Sequence, residues 1–117
     1  QKGDYHPSHN HPNAVFSSVF YVQTSNSSIT FAIDRSKIME GFLLDFKIKN
    51  YNYFNALSWK VPVETGDMII FPGELQHESQ VHDGDDERMI IGSSYFVEGS
   101  LGFDNNYNSI KIYNADN

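Results

Sequence analysis

The chain has 117 residues and a mass of 13.4 kDa, room for one domain with one modest core. Hydrophobic residues make up 39% and charged residues 20%, the balance of a folded globular chain, and the absence of cysteine excludes disulfides, zinc ribbons, iron–sulfur clusters and thiol catalysis. The net charge of −7 repels phosphate backbones and anionic membranes, and no apolar run reaches the length of a membrane span, so neither nucleic acid nor a membrane is an expected partner and a cytoplasmic location is expected.

In chain order, short alternating apolar runs predict strands at 15–23, 28–34, 41–49, 54–61, 67–72, 77–81, 88–97 and 109–113. Turn clusters separate them: TSNS at 24–27, NYN at 50–52, PVETG at 62–66 and HDGDDE at 82–87. Only 34–40 has the pattern of a helical turn. The Asn-rich tail after 102 reads as a loop with one edge strand. No repeat, linker or low-complexity tract interrupts the chain. Many short strands at close spacing predict an all-β sandwich or barrel.

The five histidines fall in two groups, His6, His9 and His11 near the start and His77 and His82 far downstream. On an extended strand residues i and i+2 point to one face, so His9 and His11 can hold one ion from one side. His6, three residues before His9, does not share that face. Downstream, Gly66-Asp67 forms a tight turn, an apolar strand follows and ends at Pro72, and a short loop delivers His77 to the next strand. His82 sits in the acidic turn and is expected to be solvated.

Arg88 opens a strand whose same face continues with Ile90, Gly92, Ser94 and Phe96. Small residues beside an arginine leave space, which suits a guanidinium reaching a carboxylate in a cavity. If 77–81 and 88–92 pair as a hairpin, Arg88 lies about 13 Å from His77 at ~3.3 Å per residue. Tyr21 is ten residues past His11, about 33 Å on a straight strand at that rise. For both to serve one site the chain must turn, and Pro12-Asn13 is the place.

These segments resemble a known family. HNHPNAVFSSVFYV is similar to a segment of small Fe(II)/2-oxoglutarate-dependent oxygenases related to prolyl 4-hydroxylases, and NYNYFNALSWKVPVETGDMIIFPGELQHESQVHDGDDERMIIGSSYF to their second half, over roughly residues 4–97. The resemblance implies a double-stranded β-helix, a jelly-roll, cupin-like barrel, with Fe(II) and 2-oxoglutarate as cofactors. It implies a dioxygenase that hydroxylates a C–H bond of a peptide or small-molecule substrate and releases succinate and CO₂. Two histidines and a carboxylate hold the iron in such enzymes and leave three positions open. By this resemblance His77 matches the distal ligand, Arg88 the residue that binds the far carboxylate of 2-oxoglutarate, and Tyr21 a tyrosine that hydrogen-bonds the same group. The acidic position of the first ligand pair falls on His11, so the metal ligands read His9, His11 and His77. Three imidazoles also suit zinc, copper and nickel.

A cupin-type three-histidine metalloprotein fits the Gly66–Pro72–His77 spacing too, but needs neither Arg88 nor Tyr21 and normally adds a glutamate that 12–16 lacks. A non-catalytic jelly-roll binding protein is the third reading. Residues 1–117 are expected to form one domain. Related enzymes carry helices before the barrel, so the chain is expected to be either a fragment or a minimal barrel that covers its outer sheet as a homodimer.

Overall fold

The computed structural model describes residues 1–32, 49–52, 55–102 and 109–113. Among them there is no helix, and the strands are β1 (Phe16–Gln23), β2 (Ser27–Ala32), β3 (Ser58–Val63), β4 (Met68–Pro72), β5 (Gln76–Ser79), β6 (Met89–Tyr95), β7 (Gly99–Leu101) and β8 (Ile110–Ile112). One sheet has the order β4-β1-β6, a second β3-β2-β5, and β7-β8 form a separate pair. Every pairing is antiparallel.

The N-terminal segment adds a further row to the second sheet. Backbone bonds join Gly3 to His82, His6 to Ser79, His9 to His77 and His11 to Gly73, so residues 3–11 run antiparallel beside 73–82. The chain thus enters beside β5, crosses to β1, returns for β2 and β3, crosses to β4, returns for β5 and crosses again to β6. That alternation between two sheets is the order of a double-stranded β-helix jelly roll.

Period-2 alternation decides what lies between the sheets. Tyr21 and Phe71 come from the first sheet and Ile29 and Val63 from the second, and together they make one buried cluster. The Phe31 and Phe71 rings meet edge to face across it at 5.1 Å. The opposite face of the first sheet keeps Phe16, Met68, Ile70, Met89 and Ile91 exposed.

Most predicted strands match within two residues, and the departures have physical reasons. The strand expected at 54–61 lies at Ser58–Val63 and runs through Pro62. Proline lacks a donor, but among the described residues β3 is the edge of its sheet, where a proline is tolerated. The pair β7-β8 was half anticipated: β8 is the edge strand of the tail, whereas the three-residue β7 is too short to show alternation. The predicted strand 41–49, except Lys49, and the helical turn at 34–40 lie outside the described residues, as does Phe54 at the start of the predicted strand 54–61. The proposed hairpin of 77–81 with 88–92 does not form. β5 pairs with β2 and β6 with β1, in different sheets, because the acidic loop between them carries the chain from one sheet to the other.

Candidate metal centre

His9 and His77 face each other across an antiparallel bridge. Each donates its backbone N–H to the other's carbonyl, at 3.0 and 2.9 Å, so the two side chains leave the sheet on the same face. Their ring centroids are 4.3 Å apart. His11 follows on the same face, with its ring 5.1 Å from His9 and 5.2 Å from His77. One nitrogen from each of the three lies within 4.8 Å of the others.

Hydrogen bonds engage one nitrogen of each ring. His9 Nδ1 is 2.8 Å from the Pro7 carbonyl and His77 Nδ1 is 2.9 Å from the Leu75 carbonyl. A carbonyl only accepts, so Nδ1 carries a proton in both rings, and the neutral tautomer that keeps this bond presents its lone pair on Nε2. His11 Nδ1 lies 3.3 Å from Ser94 Oγ, which in turn sits 3.5 Å from Ser17 Oγ. All three Nδ1 atoms are therefore engaged and all three Nε2 atoms are left for an ion, the arrangement that orients metal-binding histidines. Burial pushes His77 below the ordinary histidine range, against the opposing pull of the Leu75 carbonyl, and so favours the neutral ring that ligates. Phe71, whose ring lies 4.5 Å from that of His77, supplies the apolar wall. Three neutral imidazoles are a donor set for a divalent transition ion.

Two local features place these rings. Asn13 takes a positive φ of 68° and Ala14 N–H donates to the His11 carbonyl, so the chain turns after Pro12 as the spacing required. Gly73 lies against that turn. Its N–H donates to the Val15 carbonyl, its carbonyl accepts from His11 N–H, and a Cβ there would stand 2.2 Å from the Ala14 oxygen. Only glycine fits this crossing.

The three histidines open onto a cavity of about 450 Å³, whose other walls include Tyr21, Ile29, Ile90, Gly92 and Ser94. The inward face of β6 thus borders space, as its small residues suggest. Tyr21 is buried, and burial pushes its phenol above the ordinary value, so it is a hydrogen-bond donor at neutral pH. The Arg88 charge is close enough to oppose that shift. Arg88 itself is tied to the protein: Nη1 donates to the Gln80 carbonyl at 2.6 Å, and Nη2 donates to the Asp4 carbonyl at 3.1 Å and to Ser79 Oγ at 3.4 Å. Three of its five donors are used in joining the N-terminal row, the end of β5 and β6.

His6 lies at the cavity wall, exposed, with its ring 6.1 Å from that of His9, outside the group of three. His82 corrects the expectation of a solvated turn. It is only 3% exposed, because the acidic loop folds back so that His82 Nε2 meets the Asp86 carbonyl while its N–H donates to the Asp4 carbonyl. Sequence reasoning missed Ser94 as the partner of His11 and Gly73 as the crossing point. Ser94 was legible as a small residue on the face that starts at Arg88, and Gly73 only as a turn residue after Pro72.

Among the described residues no helix is long and apolar enough to cross a membrane. Comparison with curated proteins gave no match. The model of one protein family, described as "Putative 2OG-Fe(II) oxygenase", matches residues 1–94. That span holds the three histidines, Tyr21, Arg88 and Ser94, and both three-stranded sheets except the last residue of β6. The chain belongs to this 2OG-Fe(II) oxygenase family.

Proposed function

We propose that the protein is an Fe(II)- and 2-oxoglutarate-dependent dioxygenase that hydroxylates a C–H bond of a peptide or small-molecule substrate. The observation that carries this reading is the grouping of one ring nitrogen from each of His9, His11 and His77, within 4.8 Å of one another, at a cavity that Tyr21 also lines. Bound there, ferrous iron and 2-oxoglutarate would supply the oxidation, with succinate and CO₂ as the co-products. The chain's own part is to bind and orient. His9, His11 and His77 hold the ion from one side and leave the cavity side open. Three neutral imidazoles leave a divalent ion its full charge, which favours a dianionic keto acid as the fourth partner. The Tyr21 hydroxyl donates to the far carboxylate of that acid, and Arg88 adds positive charge behind it. No side chain needs to act as a general base, because the oxidising chemistry would come from the bound cofactors.

Anaerobic titration of 2-oxoglutarate into the Fe(II)-loaded protein tests this. A saturable visible charge-transfer band, weakened in Arg88→Ala, is expected. Bound metal with no band would favour a cupin-type three-histidine metalloprotein. No metal binding at all would leave a non-catalytic jelly roll.

A further inference from the structure

The chain continues past the metal centre beyond the end of β6. Phe96 follows Ser94 by two residues, roughly 6.6 Å further on at ~3.3 Å per residue. Asn13 stands two residues beyond His11, and Val15 two residues before Ser17. Asn13, Val15 and Phe96 then meet Leu101 on β7, Ile112 on β8 and Tyr113, and enclose a second cleft of about 680 Å³. Two stretches of chain, from His11 to Asn13 and from Ser94 to Phe96, therefore lead from residues of the histidine cavity to residues of this cleft. It lies on the side away from Arg88 and Tyr21, because β1 and β6 are in register with Tyr21 opposite Ile90 at one end and Ser17 opposite Ser94 at the other. Of the described lining residues, all but Asn13 and Val15 lie beyond the family-matched residues 1–94.

The chemistry of the cleft is specific. Phe96 is 66% exposed and Tyr113 70%, so an occupant would remove large aromatic surfaces from water. Among the described residues of the lining Glu98 is the one that carries a charge, and Asn13 adds an amide. The volume is that of a small-molecule site. We infer that this second cleft is the substrate subsite of the same centre, and that it takes an apolar alkyl or aromatic group carrying a cationic amine that meets Glu98. This rests on the oxygenase reading and adds the substrate class to it. The far carboxylate of the keto acid occupies the Tyr21 end, and the substrate approaches from the Phe96 end.

Hexylamine, 1-hexanol and hexanoate, titrated into the full chain and followed by saturation-transfer NMR, test the inference first without metal. Hexylamine should bind saturably, about three- to fivefold tighter than hexanol for one exposed charge pair, with hexanoate weakest. Glu98→Gln should bring hexylamine to the level of hexanol, and Tyr113→Ala, at an exposed site that folding tolerates, should weaken both. With Mn(II) at the histidines the hexyl protons should broaden, and His77→Phe should cancel the broadening while hexylamine still binds. Hexanoate binding as well as hexylamine, no effect of Glu98→Gln, no saturable binding, or Mn(II) binding without broadening would each overturn the proposal. Failure to bind Mn(II) would instead strike the oxygenase reading, and with it the assignment as a substrate subsite, while the metal-free titration reports on the cleft alone.

Discussion

Gly73→Ala is the most discriminating single change, because its effect can be worked from the backbone. The added Cβ would stand 2.2 Å from the Ala14 carbonyl oxygen and 2.8 Å from Ala14 Cβ, where ordinary contact begins at 3.4 Å. The Pro12–Val15 turn must therefore retreat by about 1.2 Å relative to Gly73. That turn directly follows His11, whose N–H is bonded to the Gly73 carbonyl at 2.8 Å. Metal–ligand distances tolerate only about 0.2 Å, so a shift several times larger removes His11 from the ligand set. Overpacking of this kind costs about 1–3 kcal/mol, which for a domain near this size lowers Tm by several degrees at roughly 4 °C per kcal/mol. Calorimetry and a chelator-competition titration with Zn(II) measure the two effects separately. The expected result is a Tm lower by about 5–10 °C and a metal affinity at least 100-fold weaker. Gly92→Ala is the control. A Cβ there meets nothing within 4 Å, so both quantities should stay at parent values. A Gly73→Ala protein with unchanged Tm and unchanged zinc affinity would refute the crossing argument.

Three further outcomes are expected. Ser94→Ala should weaken metal binding about 10–100-fold by freeing the His11 ring, while Ser94→Thr, which keeps the hydroxyl, should restore it, both read by the same titration. His77→Phe should abolish metal binding yet keep a cooperative thermal transition, since a ring still fills the space against Phe71; retained metal binding would remove His77 from the centre. Arg88→Ala should lower Tm, because the Gln80 and Asp4 carbonyls lose a charged donor at about 1.5–3 kcal/mol per hydrogen bond, and should also raise the 2-oxoglutarate concentration needed for half-saturation. A lower Tm with unchanged half-saturation would make Arg88 a structural tie alone.

Much of the site was legible because strand geometry is local. Alternation marks which residues share a face, so His9 and His11 were a pair before any partner was known, and Ile90, Gly92 and Ser94 were one wall. The chain-length argument between His11 and Tyr21 demanded a turn, and Pro12-Asn13 supplies it with a positive φ at Asn13. The partner of each strand is a different matter. Nothing in residues 77–92 says that β5 joins β2 while β6 joins β1, and a local hairpin was the natural reading of their spacing.

What the sequence by itself determined, then, is the strand pattern, the facing of each side chain and the residue types that can hold a metal. Tertiary structure alone decided that His9 stands opposite His77, that Ser94 fixes His11, that Gly73 must lack a side chain and that His82 is buried. The reason is physical. A period of two fixes orientation within a strand, but which strands become neighbours depends on backbone hydrogen bonds and apolar burial between segments far apart in the chain.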